Sequence, residues 1–206
     1  MNYLINAIRI LFLAVFLTLI LNGKMVLWLA IYVISLPVAL LFGRVYCGYL
    51  CPMNTLMIPT DSLAKKMNLQ TETSPKWLGS GNFGWFALIA SLLIMIPFKR
   101  ILGKNLPILL IWLFVSILVT IRYKTSVFHN LICPFGKLQK LFGKFAIFSE
   151  RVDKEKCIGC RLCEGVCPSD AIRVKEDKKA LINTALCHQC TNCQQICPKK
   201  AIAYSK

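Results

Sequence analysis

Eleven of the 206 residues are cysteine, and eight of these fall in two copies of one pattern. "CIGCRLCEGVCPSDAIRV" starts at Cys157 and "CHQCTNCQQICPKKAIAY" at Cys187, with Cys, Pro, Ala and Ile recurring in register. Each copy is C-x2-C-x2-C-x3-C-P. Three thiolates in a tight loop reach three irons of one cubane [4Fe–4S] cluster, and a fourth, carried onward by a short helix, reaches the neighbouring cluster. By that crossing, Cys157, Cys160, Cys163 and Cys197 hold one cluster, and Cys187, Cys190, Cys193 and Cys167 the other. Pro168 and Pro198 end the two binding loops. Zinc is the rival, but it favours isolated pairs closed into a tetrahedron, where a third cysteine at x2 has no role. A disulfide framework would not need two intact copies of this run. His188 stands where the first copy has Ile158, either as a polar neighbour of the second cluster or as plain surface.

The remaining three cysteines form a weaker constellation. "VYCGYLCPMNTL" from Val45 and "VFHNLICPFGKL" from Val127 share a valine, an aromatic, a ligand-type residue, three spacers, Cys-Pro and a leucine. This is an internal repeat, in which Cys47 corresponds to His129 and Cys51 to Cys133. Ligand-type residues four apart share a face of a helical turn, and a proline after the cysteine suits a helix start. If the two repeats face one another, Cys47, Cys51, His129 and Cys133 make a third iron–sulfur site, with histidine replacing one cysteine on iron and raising its potential. A disulfide, or cysteines buried as small hydrophobes, are the other readings.

The elements that position these residues are apolar. The chain is 56% hydrophobic and 17% charged, against about 45–50% and about 25% in ordinary soluble domains. The excess sits in four runs, 3–21, 25–43, 83–98 and 106–121. The first two are long enough to cross a bilayer and the others fall slightly short without flanking residues; the rival is a set of very apolar soluble core helices. The first run has no small-x-small cleavage site, so it reads as a span and not a leader. An even number of spans places both termini on one side. That side carries Arg44, Lys65, Lys66, Lys76, Arg122, Lys124, Lys137 and Lys140, while Lys24, Lys99, Arg100 and Lys104 lie opposite. The basic bias puts the termini in the cytoplasm, where thiols stay reduced. Arg44 and Arg122 either anchor helix ends or lower the cost of a negatively charged cluster nearby.

Between the last run and the cysteine-rich tail, Phe135, Leu138, Phe142 and Phe145 share a helical face, with Lys137, Lys140 and Lys144 away from it. That pattern suits a helix on an anionic membrane surface or a connector packed on the tail. The formal charge is +16, but no nucleic-acid motif accompanies it. Anionic lipid, or an acidic electron carrier, is the partner class it favours.

Residues 151–206 resemble the two-cluster bacterial ferredoxin domain. The whole chain, with "GRVYCGYLCP" after the second run, "CPFG" after the fourth and the twin-cubane tail, resembles the NapH family of ferredoxin-type membrane proteins, to which MauN and the membrane portions of NosR and CcoG-like proteins are related. In that family both loops carry C-x3-C-P. Cys47, Cys51 and Cys133 match it, and His129 departs from it. The resemblance implies a four-helix membrane domain of two repeated hairpins (1–134), an amphipathic interfacial connector (135–150) and an α+β ferredoxin domain with two [4Fe–4S] clusters (151–206). It also implies a multi-pass protein of the cytoplasmic membrane that relays electrons between a quinone or cytoplasmic carrier and a partner such as a reductase subunit, ferredoxin or flavodoxin. A role in maturing a redox enzyme, or a cluster-based redox sensor, would use the same residues. No residue is singled out as a quinone site, and none as catalytic.

Overall fold

A run of apolar side chains satisfies its backbone polar groups most simply as a helix, and each of the four runs is one. The computed structural model describes residues 3–71, 74–102 and 106–206. Its helices α1 (Tyr3–Leu21) and α2 (Met25–Phe42) match the first two runs. Next come α3 (Pro52–Lys66), α4 (Phe83–Leu102), α5 (Ile108–Arg122), the one-turn α6 (Thr125–Val127) and α7 (Pro134–Gly143). The tail adds β1 (Ser149–Val152), α8 (Leu162–Gly165), β2 (Ile172–Val174), β3 (Ala180–Ile182), α9 (Asn192–Ile196) and β4 (Ile202–Ser205). Lys104, expected on the outer side, and Glu72 and Thr73 of the turn-rich stretch lie outside the described residues.

By length and composition α1 and α2 are able to cross a membrane, and the apolar parts of α4 (Phe83–Phe98) and α5 are shorter. At 1.5 Å per residue α1 covers about 28 Å, close to the bilayer's hydrocarbon thickness of about 30 Å. Large apolar side chains on both helices, among them Ile10, Leu11, Leu27 and Ile34, are more than half exposed.

The chain forms two compact units, Met1–Ile34 with Tyr49–Lys137, and Ser35–Gly48 with Leu138–Lys206. In the first, Phe16, Trp28, Met57, Leu109, Leu113 and Phe128 form the core, and Phe16 meets Trp28 edge to face at 5.1 Å. Two polar side chains show how this unit ties its helices together. The Trp112 indole N–H donates to Ser91 Oγ at 3.0 Å, and the Tyr32 hydroxyl donates to the Phe135 carbonyl at 2.8 Å.

In the second unit β1 pairs antiparallel with β4, and β2 with β3, around Ile172, Ala180, Ile202 and the thiols of Cys163 and Cys193. The sequence draws its boundary near residue 150, but residues 35–48 belong with the tail. The reason is hydrogen bonding: the Phe148 N–H donates to the Leu41 carbonyl at 2.8 Å and the Tyr204 hydroxyl to the Phe42 carbonyl at 3.1 Å. The connector also differs from a single amphipathic helix. α7 stops at Gly143 and β1 starts at Ser149. Lys137, expected on the polar face, is buried, and its ammonium donates to the Asn130 carbonyl at 2.9 Å.

Candidate metal centres

The two cysteine runs fold as one backbone motif used twice. Gly159 and Arg161 in the first copy, and Gln189 and Thr191 in the second, take positive φ; so do Asp170 and Lys200 further on. Left-handed residues between extended or helical ones turn successive N–H groups toward one concavity, which suits a negatively charged guest. Each third cysteine then sits in a single-turn helix, Cys163 in α8 and Cys193 in α9. Backbone N–H groups donate to four of the sulfurs, matched between the copies at the fourth cysteine. Ala171 N–H donates to Cys167 Sγ at 3.2 Å and Ala201 N–H to Cys197 Sγ at 3.3 Å. Ala180 N–H donates to Cys157 Sγ and Gln189 N–H to Cys187 Sγ, both at 3.4 Å.

One cavity gathers thiols from both copies. It is lined by Cys157, Cys160, Cys163 and, from the far copy, Cys197, with Ile158, Leu162, Val174 and Ile202 as apolar walls. Cys167 does not line that cavity and lies within electrostatic reach of Cys187 and Cys193. Burial pushes the Cys187 thiol up to about 12, against the Gln189 N–H that favours its thiolate, and Cys190, Cys167 and Glu150 add to the rise. Burial raises Cys193 as well, with Glu150 the next cause, and it raises Cys163. Buried thiols that resist ionisation need positive charge to become ligands, and iron supplies it. Among the described residues no three Cys, His, Asp or Glu side chains close on a single metal ion. In a cubane the thiolates bind different irons, so the donor set fits a cluster.

The two sets differ in exposure. Cys187, Cys190 and Cys193 are buried, along with His188 and Gln189, whereas Cys160 is exposed. Ile158 and Leu162 beside it are at least half exposed. His188 is therefore not surface. Glu150 is also buried, neither carboxyl oxygen has a hydrogen-bond partner among the described residues, and desolvation raises its pKa.

The internal repeat holds at backbone level. Tyr46–Leu50 and Phe128–Ile132 are both π-type turns, a form often found at functional sites. Cys51 (φ −68°, ψ 116°) and Cys133 (φ −60°, ψ 117°) follow in matching extended conformations, and Pro52 and Pro134 open α3 and α7. Gly136 N–H donates to Cys133 Sγ at 3.3 Å. Within the first unit His129 is buried, and its Nε2 lies 3.1 Å from Asn54 Oδ1. Cys47 belongs to the second unit, where Arg44 Nη2 donates to its sulfur at 3.6 Å. Asn54 and Glu150 carry no spacing signal in the sequence, and burial alone singles them out.

Comparison with known proteins agrees with the cysteine chemistry. A family described as a 4Fe-4S dicluster domain matches residues 156–201, and one described as a 4Fe-4S binding domain matches 25–69 and 105–154. The second pair of segments contains the two repeated loops. The chain is 32% identical over 143 residues to "Uncharacterized protein MJ0749" of Methanocaldococcus jannaschii, covering 66% of this chain and 56% of that one. It is 28% identical over 187 residues to the "Putative electron transport protein YccM" of Escherichia coli K12, covering 80% of this chain and 50% of that protein. A "Ferredoxin-like protein in nif region" of Trichormus variabilis is 53% identical over 32 residues, 16% of this chain and 28% of that protein. The chain thus spans about half the length of the first two relatives. No solved structure matches. These likenesses support an iron–sulfur electron-transfer family with ferredoxin-type 4Fe-4S domains.

Proposed function

We propose that the protein is a membrane-bound iron–sulfur subunit that relays single electrons between a carrier and a partner redox enzyme. The observation that carries the reading is the cavity lined by Cys157, Cys160 and Cys163 of one copy and Cys197 of the other. When bound, [4Fe–4S] clusters supply reversible one-electron chemistry. The chain's own part is to hold eight thiolates at fixed positions, donate backbone N–H groups to four of them and exclude water from one set. N–H donors, burial and nearby charge are the levers that set each potential.

α1 and α2 support membrane insertion. We read α4 and α5 as two further, shorter spans, which tilt or local thinning accommodates, with both termini and the tail on the cytoplasmic side. In this reading, as in the NapH-like family, the repeated loops carry a third iron–sulfur site from Cys47, Cys51, Cys133 and His129. His129 Nε2 lies 3.1 Å from Asn54 Oδ1, a contact that orients the ring in the way partners of ligating histidines do. The electron partner is a quinol-linked reductase subunit, a ferredoxin or a flavodoxin. Crosslinking the intact protein in its own membranes, followed by mass spectrometry, tests this. A redox enzyme subunit among its neighbours is the expected result, and recovery of folding or assembly factors alone would count against it.

A further inference from the structure

The carboxyl end of α2 meets the second cysteine loop with no room to spare, all within one compact unit. A Cβ on Gly43 would collide with the Gln189 side chain, and one on Gly48 with the His188 carbonyl oxygen. Between these glycines lies Arg44, whose side chain is fully buried. Gly143 leaves space for it: a Cβ there would stand 2.9 Å from Arg44 Cγ. Nη1 points at the carbonyls of Ala185 (3.4 Å) and Leu186 (3.5 Å), Nη2 at Cys47 Sγ (3.6 Å), and Nε has no partner among the described residues. Among those residues no carboxylate pairs with this guanidinium. A buried charge held only by long contacts to two carbonyls and a sulfur is costly unless something nearby is negative.

We infer that Arg44 is the counter-charge of the cluster on Cys187, Cys190, Cys193 and Cys167, and that this cluster is the inner relay, joined to Cys47 through the Arg44 guanidinium. The inference rests on reading the eight tail cysteines as cluster ligands. Leu186, whose carbonyl Arg44 holds, is the residue before Cys187, and Cys47 lies at the other end of the same guanidinium. A cubane with four thiolates carries about −2 when oxidised and gains one more negative charge on reduction. A fixed buried cation therefore favours the reduced state and raises that cluster's potential. The cluster on Cys157, Cys160, Cys163 and Cys197 has the exposed Cys160 at its edge and is the outer relay.

The test is a potentiometric titration followed by electron paramagnetic resonance on the intact protein in detergent, with iron analysis, for wild type, Arg44→Gln and Arg44→Lys. Cys160→Ser identifies which signal belongs to the outer cluster. In Arg44→Gln the inner cluster should shift to lower potential while the outer one stays in place, and Arg44→Lys should restore most of the shift. Loss of the inner cluster alone in Arg44→Gln, with retention in Arg44→Lys, supports the same role for the charge. The inference is overturned if both potentials are unmoved, if the outer cluster moves instead, or if Arg44→Lys behaves like Arg44→Gln, including when neither loads. Absence of iron from wild-type protein would defeat the underlying reading instead.

Discussion

A thiol binds iron as thiolate, so a buried cysteine becomes a ligand only where positive charge offsets its desolvation. Burial raises Cys163, Cys187 and Cys193, and their repeated spacing is what points to iron. The pairing of copies gives the sharpest prediction at this scale. Cys197→Ser should remove the cluster built on Cys157, Cys160 and Cys163 and spare the one next to it in sequence; resonance spectra of the loaded variant decide it, and loss of the neighbouring cluster would break the crossed assignment. Glu150 gives a second. Burial raises its carboxyl in the folded chain, so above the ordinary carboxylate range the folded state keeps a proton that the unfolded state has lost. Stability then falls as pH rises from about 4 through the raised native value. Glu150→Gln should flatten that fall in thermal denaturation of the intact protein; an unchanged slope would show that the carboxyl is solvated. Asn54 offers a third. Asn54→Leu removes one buried hydrogen-bond partner of His129, a loss of about 0.5–1.5 kcal/mol. The intact variant should melt earlier than wild type, and an equal Tm would mean that the pair is not formed.

At the scale of elements, the four long helices follow directly from composition, because helix formation in an apolar run is a local matter. The ends of α1 and α2 agree with the run boundaries to within a residue. The repeat is equally visible, since Cys51-Pro52 and Cys133-Pro134 fix the same turn by the same local chemistry. Sequence and structure part where tertiary contact decides. Nothing in residues 35–48 announces that they belong with the tail. That depends on small residues at 43 and 48 fitting the backbone and side chains of 188 and 189, a relation between segments far apart in the chain. Lys137 is a similar case: its charge suggests solvent, yet a carbonyl on a neighbouring turn holds it inside. The span reading has its own test. A reporter inserted at Gly23, in the turn between α1 and α2, should face away from the cytoplasm and one at the C-terminus should face it. The same side for both would mean that these helices do not cross as a hairpin.

For the molecule as a whole, a formal charge of +16 becomes smaller once anionic clusters are in place, by about 2 per oxidised cubane. Two helices apolar and long enough to cross a membrane and eight of eleven cysteines in the C-terminal tail are the features on which the proposed electron relay rests. The measurement that tests this most directly is a redox titration with iron analysis on intact protein purified without oxygen. Two cubanes require about eight irons per chain, each cluster should take up and release one electron reversibly, and iron beyond eight would belong to Cys47, Cys51, Cys133 and His129. Zinc in place of iron, or iron that cycles no electrons, would contradict the account.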